Sequence, residues 1–110
     1  MFVFNEDCRE ETLPNGVRRK IKGHISDLMA VELVWGKGME GAVHTHPHRQ
    51  CTYVIKGSFI SNVDGEKAEL KAGDCVYTES GVPHGLVAAE DDSVIIDIFT
   101  PCREDFLDYF

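Results

Sequence analysis

Three of the chain's five histidines, His44, His46 and His48, fall within five residues of each other. A neutral imidazole is a common metal ligand, and it suits several transition metals. If this segment is extended, His44 and His46 lie on one face of a strand, about 7 Å apart along the chain. Gln50 follows at an even offset and keeps that facing if the strand stays regular. The cluster therefore indicates metal binding, although a pH-sensitive surface loop would carry the same residues.

A further histidine, His84, lies in the distant segment GVPHG of residues 81–85 and can supply a fourth ligand. His48 is expected to be a solvated or hydrogen-bonded polar residue and not a ligand. Paired histidines one residue apart also occur by chance. Their spacing alone therefore leaves a metal site and a polar turn both open.

One carboxylate stands inside an apolar run, SVIIDIF of residues 93–99. Strand alternation places Ile95, Asp97 and Phe99 on one face of that strand. A carboxylate that faces a barrel interior loses hydration, which raises its pKa toward a range useful for proton transfer. The alternative is that this face meets solvent. Arg103 follows the run and can fold over a barrel mouth to hold a substrate carboxylate, or can lie on the surface.

Short strands are the elements that must position these residues. Ten glycines along 110 residues indicate many tight turns, and the apolar runs show no sustained helical period. Asp64-Gly65 is the strongest hairpin signal. A turn is expected at residues 71–74 and a loop at residues 79–85, and only residues 103–110 look helical. The predicted strands cover residues 17–21, 28–35, 51–63 with a bend at Gly57, 67–70, 75–78 and 93–99. This pattern predicts an all-β sandwich or barrel.

Composition limits the partners and the compartment. The formal net charge of −8 argues against nucleic acid or an anionic membrane as a partner. No window approaches the roughly 18 apolar residues of a membrane span, and no export signal is visible, so a cytoplasmic protein is expected. The four cysteines are expected to be free thiols, with Cys51 and Cys75 as small core residues.

The spacing of these residues resembles the two motifs of the cupin superfamily. The first motif, G-x5-H-x-H-x3,4-E-x6-G, is matched by Gly38, His44, His46, Gln50 and Gly57, with Gln50 where the family usually has Glu. The second, G-x5-P-x-G-x2-H-x3-N, is matched by Gly73, Gly81 and His84, with Glu79 and Ala88 replacing the proline and the asparagine. The resemblance implies a single small jelly-roll domain over residues 1–110, with a core barrel of about residues 16–100 and a tail of residues 101–110. It also implies one divalent metal ion, zinc, nickel, iron, manganese or cobalt, held by His44, His46, Gln50 and His84.

Gln50 changes the electrostatics of such a site. Three imidazoles and one amide leave the full charge of a divalent ion uncompensated, so the ion is a stronger Lewis acid and a better binder of carboxylate oxygens. The site also lacks the carboxylate of the usual non-haem iron triad, which weakens the case for oxygen activation. The alternative is that Gln50 points away and three histidines hold the ion.

A narrower resemblance, to the KdgF family of small cupins, covers nearly the whole chain. It rests on MFVFNED at the start, HTHPHRQ, GVPHG and the pattern D-I-F-T-P-x-R-E-D-F-L at the end. That family linearises 4,5-unsaturated monouronates, released by pectin and alginate lyases, to open-chain keto sugar acids. The resemblance implies that Asp97, Phe99 and Arg103 are active-site residues, that the substrate is a small anionic sugar and that the protein is a homodimer. Cysteines at positions 51, 75 and 102 and the Glu79-Ser80 pair depart from the pattern and put fine substrate preference in doubt.

Two other functions remain open. The same barrel hosts metal-dependent dioxygenases and other sugar isomerases. It also hosts sugar-sensing or metal-sensing modules without catalysis, because one fold carries many functions. Oxygen uptake by the iron-loaded protein would favour a dioxygenase, and tight ligand binding without turnover would favour a sensor.

Overall fold

The computed structural model describes residues 1–109 of the chain. Strands dominate this part of the protein, and the only helices in it are two short 3₁₀ turns at Asn5–Asp7 and Glu104–Tyr109. The predicted all-β fold is confirmed. In chain order the strands are β1 (Glu10–Thr12), β2 (Arg18–Ile25), β3 (Leu28–Trp35), β4 (Glu40–His44), β5 (Arg49–Lys56), β6 (Ser58–Val63), β7 (Glu66–Lys71), β8 (Cys75–Thr78), β9 (His84–Ala88) and β10 (Ser93–Thr100).

The strands form two antiparallel sheets that face each other as a jelly roll. The larger sheet has the order β1-β2-β3-β10-β5-β8, and the smaller has the order β4-β9-β6-β7. β10 lies between β3 and β5, so its inward side chains project near the middle of the barrel. Residues 45–48 cross from the smaller sheet to the larger one, because β4 and β5 belong to different sheets.

Buried apolar side chains fill the space between the sheets. Full burial of a valine, leucine, isoleucine, phenylalanine or methionine side chain contributes roughly 1.5–3 kcal/mol to folding relative to an exposed one. The main cluster contains Val17, Trp35, Val54, Phe59, Leu70, Ala88 and Ile95. A second cluster contains Ile21, Met29, Val31, Phe99 and Cys102, and Phe106 and Leu107 from the C-terminal segment pack against it. The C-terminal segment therefore closes one end of the barrel.

The two turn signals around β6 have the geometry that the sequence predicts. Asp64 and Gly65 have φ values of 52° and 85° and join β6 to β7. A turn of this hand matches the twist of the strands that it connects. Gly57 has a φ of 77°, and a Cβ atom there would lie 2.8 Å from the Cβ atom of Ser93. Only glycine fits this bend between β5 and β6.

Several boundaries differ from the prediction. The first predicted strand begins one residue later and continues to Ile25, and β1 pairs along its edge. The predicted loop at 79–85 ends at Pro83, because β9 starts at His84 to pair with β4 and β6. The predicted C-terminal helix is a 3₁₀ helix, and its last residue, Phe110, lies outside the described residues.

The cysteines are free thiols, as predicted. Cys75 is exposed, however, so its prediction as a core residue is wrong, and Cys51 is only half-buried. Both point to the outer face of the larger sheet, because Thr52 and Val54 occupy the inward positions of β5. Within residues 1–109 no helix is long and apolar enough to span a membrane.

Candidate functional site

Two of the histidines face each other across the smaller sheet. His44 is the last residue of β4 and His84 is the first residue of β9, and the strand register pairs them directly. Their ring centroids are 4.5 Å apart. Cross-strand pairing brings together two side chains that are 40 positions apart in the sequence.

His46 reaches this pair by a different route from the one that strand spacing predicts. β4 ends at His44, so His46 lies in the segment that crosses between the sheets and not on the same strand face. Its ring centroid is nevertheless 5.4 Å from that of His44 and 4.7 Å from that of His84. One nitrogen from each of the three rings lies within 4.8 Å of the others, so the triad can bind a metal ion.

The hydrogen bonds of the three rings set their tautomers. Each Nδ1 lies near a backbone carbonyl two residues away: 2.8 Å from His44 to Ala42, 3.0 Å from His46 to His48, and 2.8 Å from His84 to Val82. A neutral imidazole that donates its Nδ1 proton carries a lone pair on Nε2. Such backbone acceptors commonly orient metal-binding histidines. The Nε2 atom of His84 is buried and has no hydrogen-bond partner among the described residues.

Burial keeps two of these rings neutral. It lowers the pKa of His46 to about 4, with smaller contributions from the positive charges of Arg103 and His84. Burial also lowers the pKa of His84. Metal ligands must be deprotonated, so rings that stay neutral near pH 7 are ready to coordinate.

Gln50 turns toward the histidines and not away from them. It lies on β5, and its Oε1 atom is 2.9 Å from Nε2 of His46. The other end of the amide, Nε2, donates to the Thr52 hydroxyl at 3.1 Å. The side chain therefore presents its oxygen to the same space as the histidine nitrogens.

Asp97 faces the barrel interior together with Ile95 and Phe99, which settles the two orientations that strand alternation left open. The register of β10 and β5 pairs it with Thr52, whose hydroxyl donates to Asp97 Oδ1 at 2.5 Å. Burial raises the pKa of Asp97 to about 6, although the Thr52 hydrogen bond and the charge of Arg103 act in the opposite direction. The carboxyl group is therefore poised to exchange a proton near neutral pH.

Arg103 folds back over the same end of the barrel. Its guanidinium carbon lies 5.3 Å from the ring centre of Phe99 and 4.2 Å from that of Phe106. It donates two hydrogen bonds to the Asp105 carboxylate, at 3.0 and 2.8 Å. The side chain of Arg103 is only 13% exposed, whereas that of Asp105 is 58% exposed. A solvated carboxylate thus occupies the guanidinium fork.

A cavity of about 190 Å³ joins these groups. Its inner wall is apolar and includes Leu33, Trp35 and Ile95. Its lining also includes six of the seven site residues predicted from the sequence: His44, Gln50, His84, Asp97, Phe99 and Arg103. The seventh, His46, is linked to this lining by its contact with Gln50.

Sequence reasoning missed three residues at the site. Thr52 lies two positions after Gln50 on β5, and strand alternation alone would have placed it on the same face. Arg19 is buried, pairs with Glu11 at 2.7 Å and lies 4.1 Å from the Phe106 ring centre. Strand alternation could have indicated the inward position of Arg19, because Arg19 lies midway between Val17 and Ile21, which are both buried. Nothing in the sequence pattern singled out Phe106.

Two facing antiparallel sheets with a histidine triad at one mouth define a small β-barrel protein that can hold a metal inside. The model of the cupin domain family matches residues 30–99. The chain is 40% identical over 107 residues to the pectin degradation protein KdgF of Dickeya dadantii (strain 3937), covering 96% of this chain and 97% of that protein.

Solved structures give the same result. The structure of KdgF from a Halomonas species is 38% identical, with a TM-score of 0.92 and coverage of 96% of this chain and 97% of that one. An RmlC-like cupin from Shewanella frigidimarina NCIMB 400 is 42% identical, with a TM-score of 0.90 and coverage of 96% and 94%. The chain belongs to the cupin family and, within it, to the family of the pectin degradation protein KdgF.

Proposed function

We propose that this protein is a metal-dependent enzyme that linearises 4,5-unsaturated monouronates to open-chain keto sugar acids. The observation that carries this proposal is the placement of Asp97. A carboxyl group with a pKa of about 6 opens into the same cavity as the histidine cluster and Arg103. The identity with KdgF of Dickeya dadantii, a pectin degradation protein, supports the assignment of substrate class.

We assign one divalent metal ion, zinc, nickel, iron, manganese or cobalt, to the ligands His44, His46, Gln50 and His84. The unpartnered Nε2 atom of buried His84 and the inward lone pairs of the other rings support this assignment. The donor set of three imidazoles and one amide oxygen is neutral, so it suits an ion that also binds an anionic ligand. Such an ion, when bound, supplies Lewis acidity that stabilises negative charge on substrate oxygens.

Arg103 holds the substrate carboxylate in this mechanism. A planar guanidinium fork matches a carboxylate through two parallel hydrogen bonds. Asp105 makes that contact here, so the fork already has the conformation that a carboxylate needs. Phe99 lies beside the guanidinium and shapes the pocket next to it. The substrate displaces Asp105 into solvent, where its carboxylate is readily hydrated.

Asp97 moves the protons. Linearisation adds a proton at C4 and a water oxygen at C5, and the hemiketal that forms opens when the ring C5–O bond breaks and C5 becomes a ketone. The water oxygen becomes the ketone oxygen, so the water gives up both of its protons: one when it adds at C5, and one when the hemiketal opens and the departing ring oxygen takes up a proton. A carboxyl group that titrates near neutral pH can give a proton in one step and accept one in the next. The apolar inner wall of the cavity offers no hydrogen-bond partners to water, so the polar groups at its other side direct the water that reacts.

Exposed apolar side chains on the larger sheet indicate how two copies of the chain associate. Tyr53, Ile55 and Tyr77 point outward from β5 and β8 and are 41%, 49% and 76% exposed. Large exposed apolar side chains that lie together mark interaction surfaces. We infer a homodimer that pairs through this face of the larger sheet. We further expect a cytoplasmic enzyme whose ligand is the anionic sugar, with no nucleic-acid or membrane partner.

The direct test incubates the metal-loaded protein with a purified unsaturated monouronate. Loss of the ultraviolet absorbance of the conjugated enol ether reports the reaction, and chelator-treated protein is the control. We expect rapid loss with the loaded protein and much slower loss after chelation. A rate no faster than that of buffer, with metal bound, would refute the proposal.

A further inference from the structure

We propose that Thr52 is a positioning residue that couples the amide of Gln50 to the carboxylate of Asp97. The role of Thr52 rests on the proposed function, in which Gln50 is a ligand and Asp97 transfers protons. Thr52 is 3% exposed and lies between the two groups on the cavity wall. Its hydroxyl oxygen is 3.1 Å from Gln50 Nε2 and 2.5 Å from Asp97 Oδ1.

The direction of these hydrogen bonds follows from the single proton that the Thr52 hydroxyl can donate. A threonine hydroxyl has one proton to donate and can also accept. Thr52 donates its proton to the Asp97 carboxylate. Only a donor can therefore occupy the other side of Thr52, and the Gln50 amide nitrogen is that donor.

This order of donors fixes which end of the amide meets the histidines. Because the nitrogen of Gln50 is engaged by Thr52, its oxygen faces Nε2 of His46 at 2.9 Å. Only the oxygen end of an amide carries lone pairs that can coordinate a cation. Thr52 thus presents the ligating atom of Gln50 and restrains Asp97 at the same time.

The number of donors and acceptors around Thr52 also explains why this chain has Gln50 at the position where cupins usually have Glu. A glutamate at this position would offer only acceptors to Thr52. One hydroxyl proton would then face two carboxylates, and one of them would lose its hydrogen bond. The amide of Gln50 resolves this conflict and leaves Asp97 with its partner.

Removing the hydroxyl tests the coupling. Thr52→Val keeps the shape of the side chain but leaves the amide free to turn its nitrogen toward the histidines. Loss of a hydrogen-bond partner that orients a metal ligand costs about 10–100-fold in metal affinity or activity. We expect Thr52→Val to weaken zinc binding and to lower kcat, each by about 10–100-fold. KM should change little, because Arg103 is intact. Thr52→Ser retains the hydroxyl and should recover most of both losses.

Zinc affinity is measured by competition with a chromophoric chelator and therefore needs no substrate. Thr78→Val is the matched control, because Thr78 is also 3% exposed, pairs with Gln50 across β5 and β8, and lines the same cavity. In the described structure its hydroxyl makes no hydrogen bond to Gln50 or Asp97, so Thr78→Val should keep the wild-type zinc affinity. Thermal unfolding shows whether each variant folds, and Thr52→Ala replaces Thr52→Val if the valine variant does not.

The outcomes separate the two proposals. Wild-type zinc affinity and kcat in Thr52→Val would overturn the role of Thr52, even if the wild-type protein opens the sugar ring. Equal losses in Thr52→Val and Thr52→Ser would also overturn it, because the hydroxyl would then be irrelevant. A protein that does not turn over the sugar, but whose zinc affinity falls in Thr52→Val and recovers in Thr52→Ser, refutes the proposed function and supports the coupling.

Discussion

The Nε2 atom of His46 lies 2.9 Å from the Oε1 atom of Gln50. The Nδ1 atom of the same ring faces the carbonyl oxygen of His48, so the ring proton belongs there and Nε2 carries a lone pair. Two lone pairs at this distance repel each other unless a cation lies between them or the ring gains a second proton. Burial lowers the pKa of His46 to about 4, which disfavours the second proton. This arrangement supports the proposal that both atoms bind one cation.

Adding a divalent metal to chelator-treated protein should stabilise it. A ligand present at about 100 times its dissociation constant adds about 2.7 kcal/mol to the unfolding free energy. The melting temperature should therefore rise by roughly 10 °C or more in a domain of this size. His84→Ala removes a nitrogen of the triad and should abolish most of the rise.

His48→Ala is the matched control for this measurement. His48 is outside the triad, and its backbone carbonyl, which accepts from His46, remains in the alanine variant. Its metal-induced rise should equal that of the wild type. A rise that is lost in His48→Ala but kept in His84→Ala would contradict the assigned ligands.

Asp97→Asn should slow the reaction and leave metal binding intact. An amide cannot exchange a proton with the substrate, and a positioned acid or base contributes about 10²–10⁴-fold to a rate. We expect kcat to fall within that range while the zinc affinity stays near the wild-type value. Steady-state kinetics and chelator competition measure the two quantities. Full activity of Asp97→Asn would remove this carboxyl group from the mechanism.

The stability of metal-free protein should depend on pH through Asp97. Its folded-state pKa is about 6 against an ordinary value of 3.8, so the folded state binds this proton more tightly than the unfolded state does. The stabilisation of the folded state by this proton is fully present below pH 3.8, the ordinary pKa, and is lost as the pH rises through 6. Between about pH 4 and about pH 7, the unfolding free energy of Asp97→Asn, measured in urea, should rise by roughly 2 kcal/mol relative to that of the wild type. A constant difference across this range would contradict the raised pKa.

Arg103→Gln should weaken substrate binding. A hydrogen bond to a charged group contributes about 1.5–3 kcal/mol, so KM should rise by roughly 10–100-fold with a smaller change in kcat. Arg49→Gln is the matched control, because Arg49 is an exposed arginine on β5. Its KM should be close to that of the wild type. Equal KM values for Arg103→Gln and the wild type would show that the guanidinium does not hold the carboxylate.

The sequence predicted the limits of a strand correctly where turn residues flank an apolar segment at both ends. β3 and β8 have the predicted limits, because their apolar runs end at glycine or turn residues. Strand alternation placed Asp97 on one face with Ile95 and Phe99 but left open whether that face meets solvent, and the burial of all three side chains decides for the interior. Strand limits and strand alternation depend on the immediate sequence alone.

Other parts of the site depend on distant pairing. The meeting of His44 and His84 requires the register of β4 and β9, which the spacing of residues within one segment does not reveal. The contact of Arg19 with Phe106 requires the C-terminal segment to fold back on β2. Motif spacing in the sequence indicated the candidate ligand residues, but the hydroxyl that links Gln50 to Asp97 depends on the register that pairs β5 with β10.

The most direct test of the central claim follows the reaction by proton NMR in deuterated water. Metal-loaded protein is mixed with a 4,5-unsaturated monouronate, and the vinyl signal at C4 is monitored together with the product. Ring opening through C4 protonation predicts loss of that signal, an open-chain C5 ketone or its hydrate, and deuterium from the solvent at C4, all much faster than in buffer or with Asp97→Asn. A vinyl signal that persists as long as it does in buffer, with folded and metal-loaded protein present, would contradict the account.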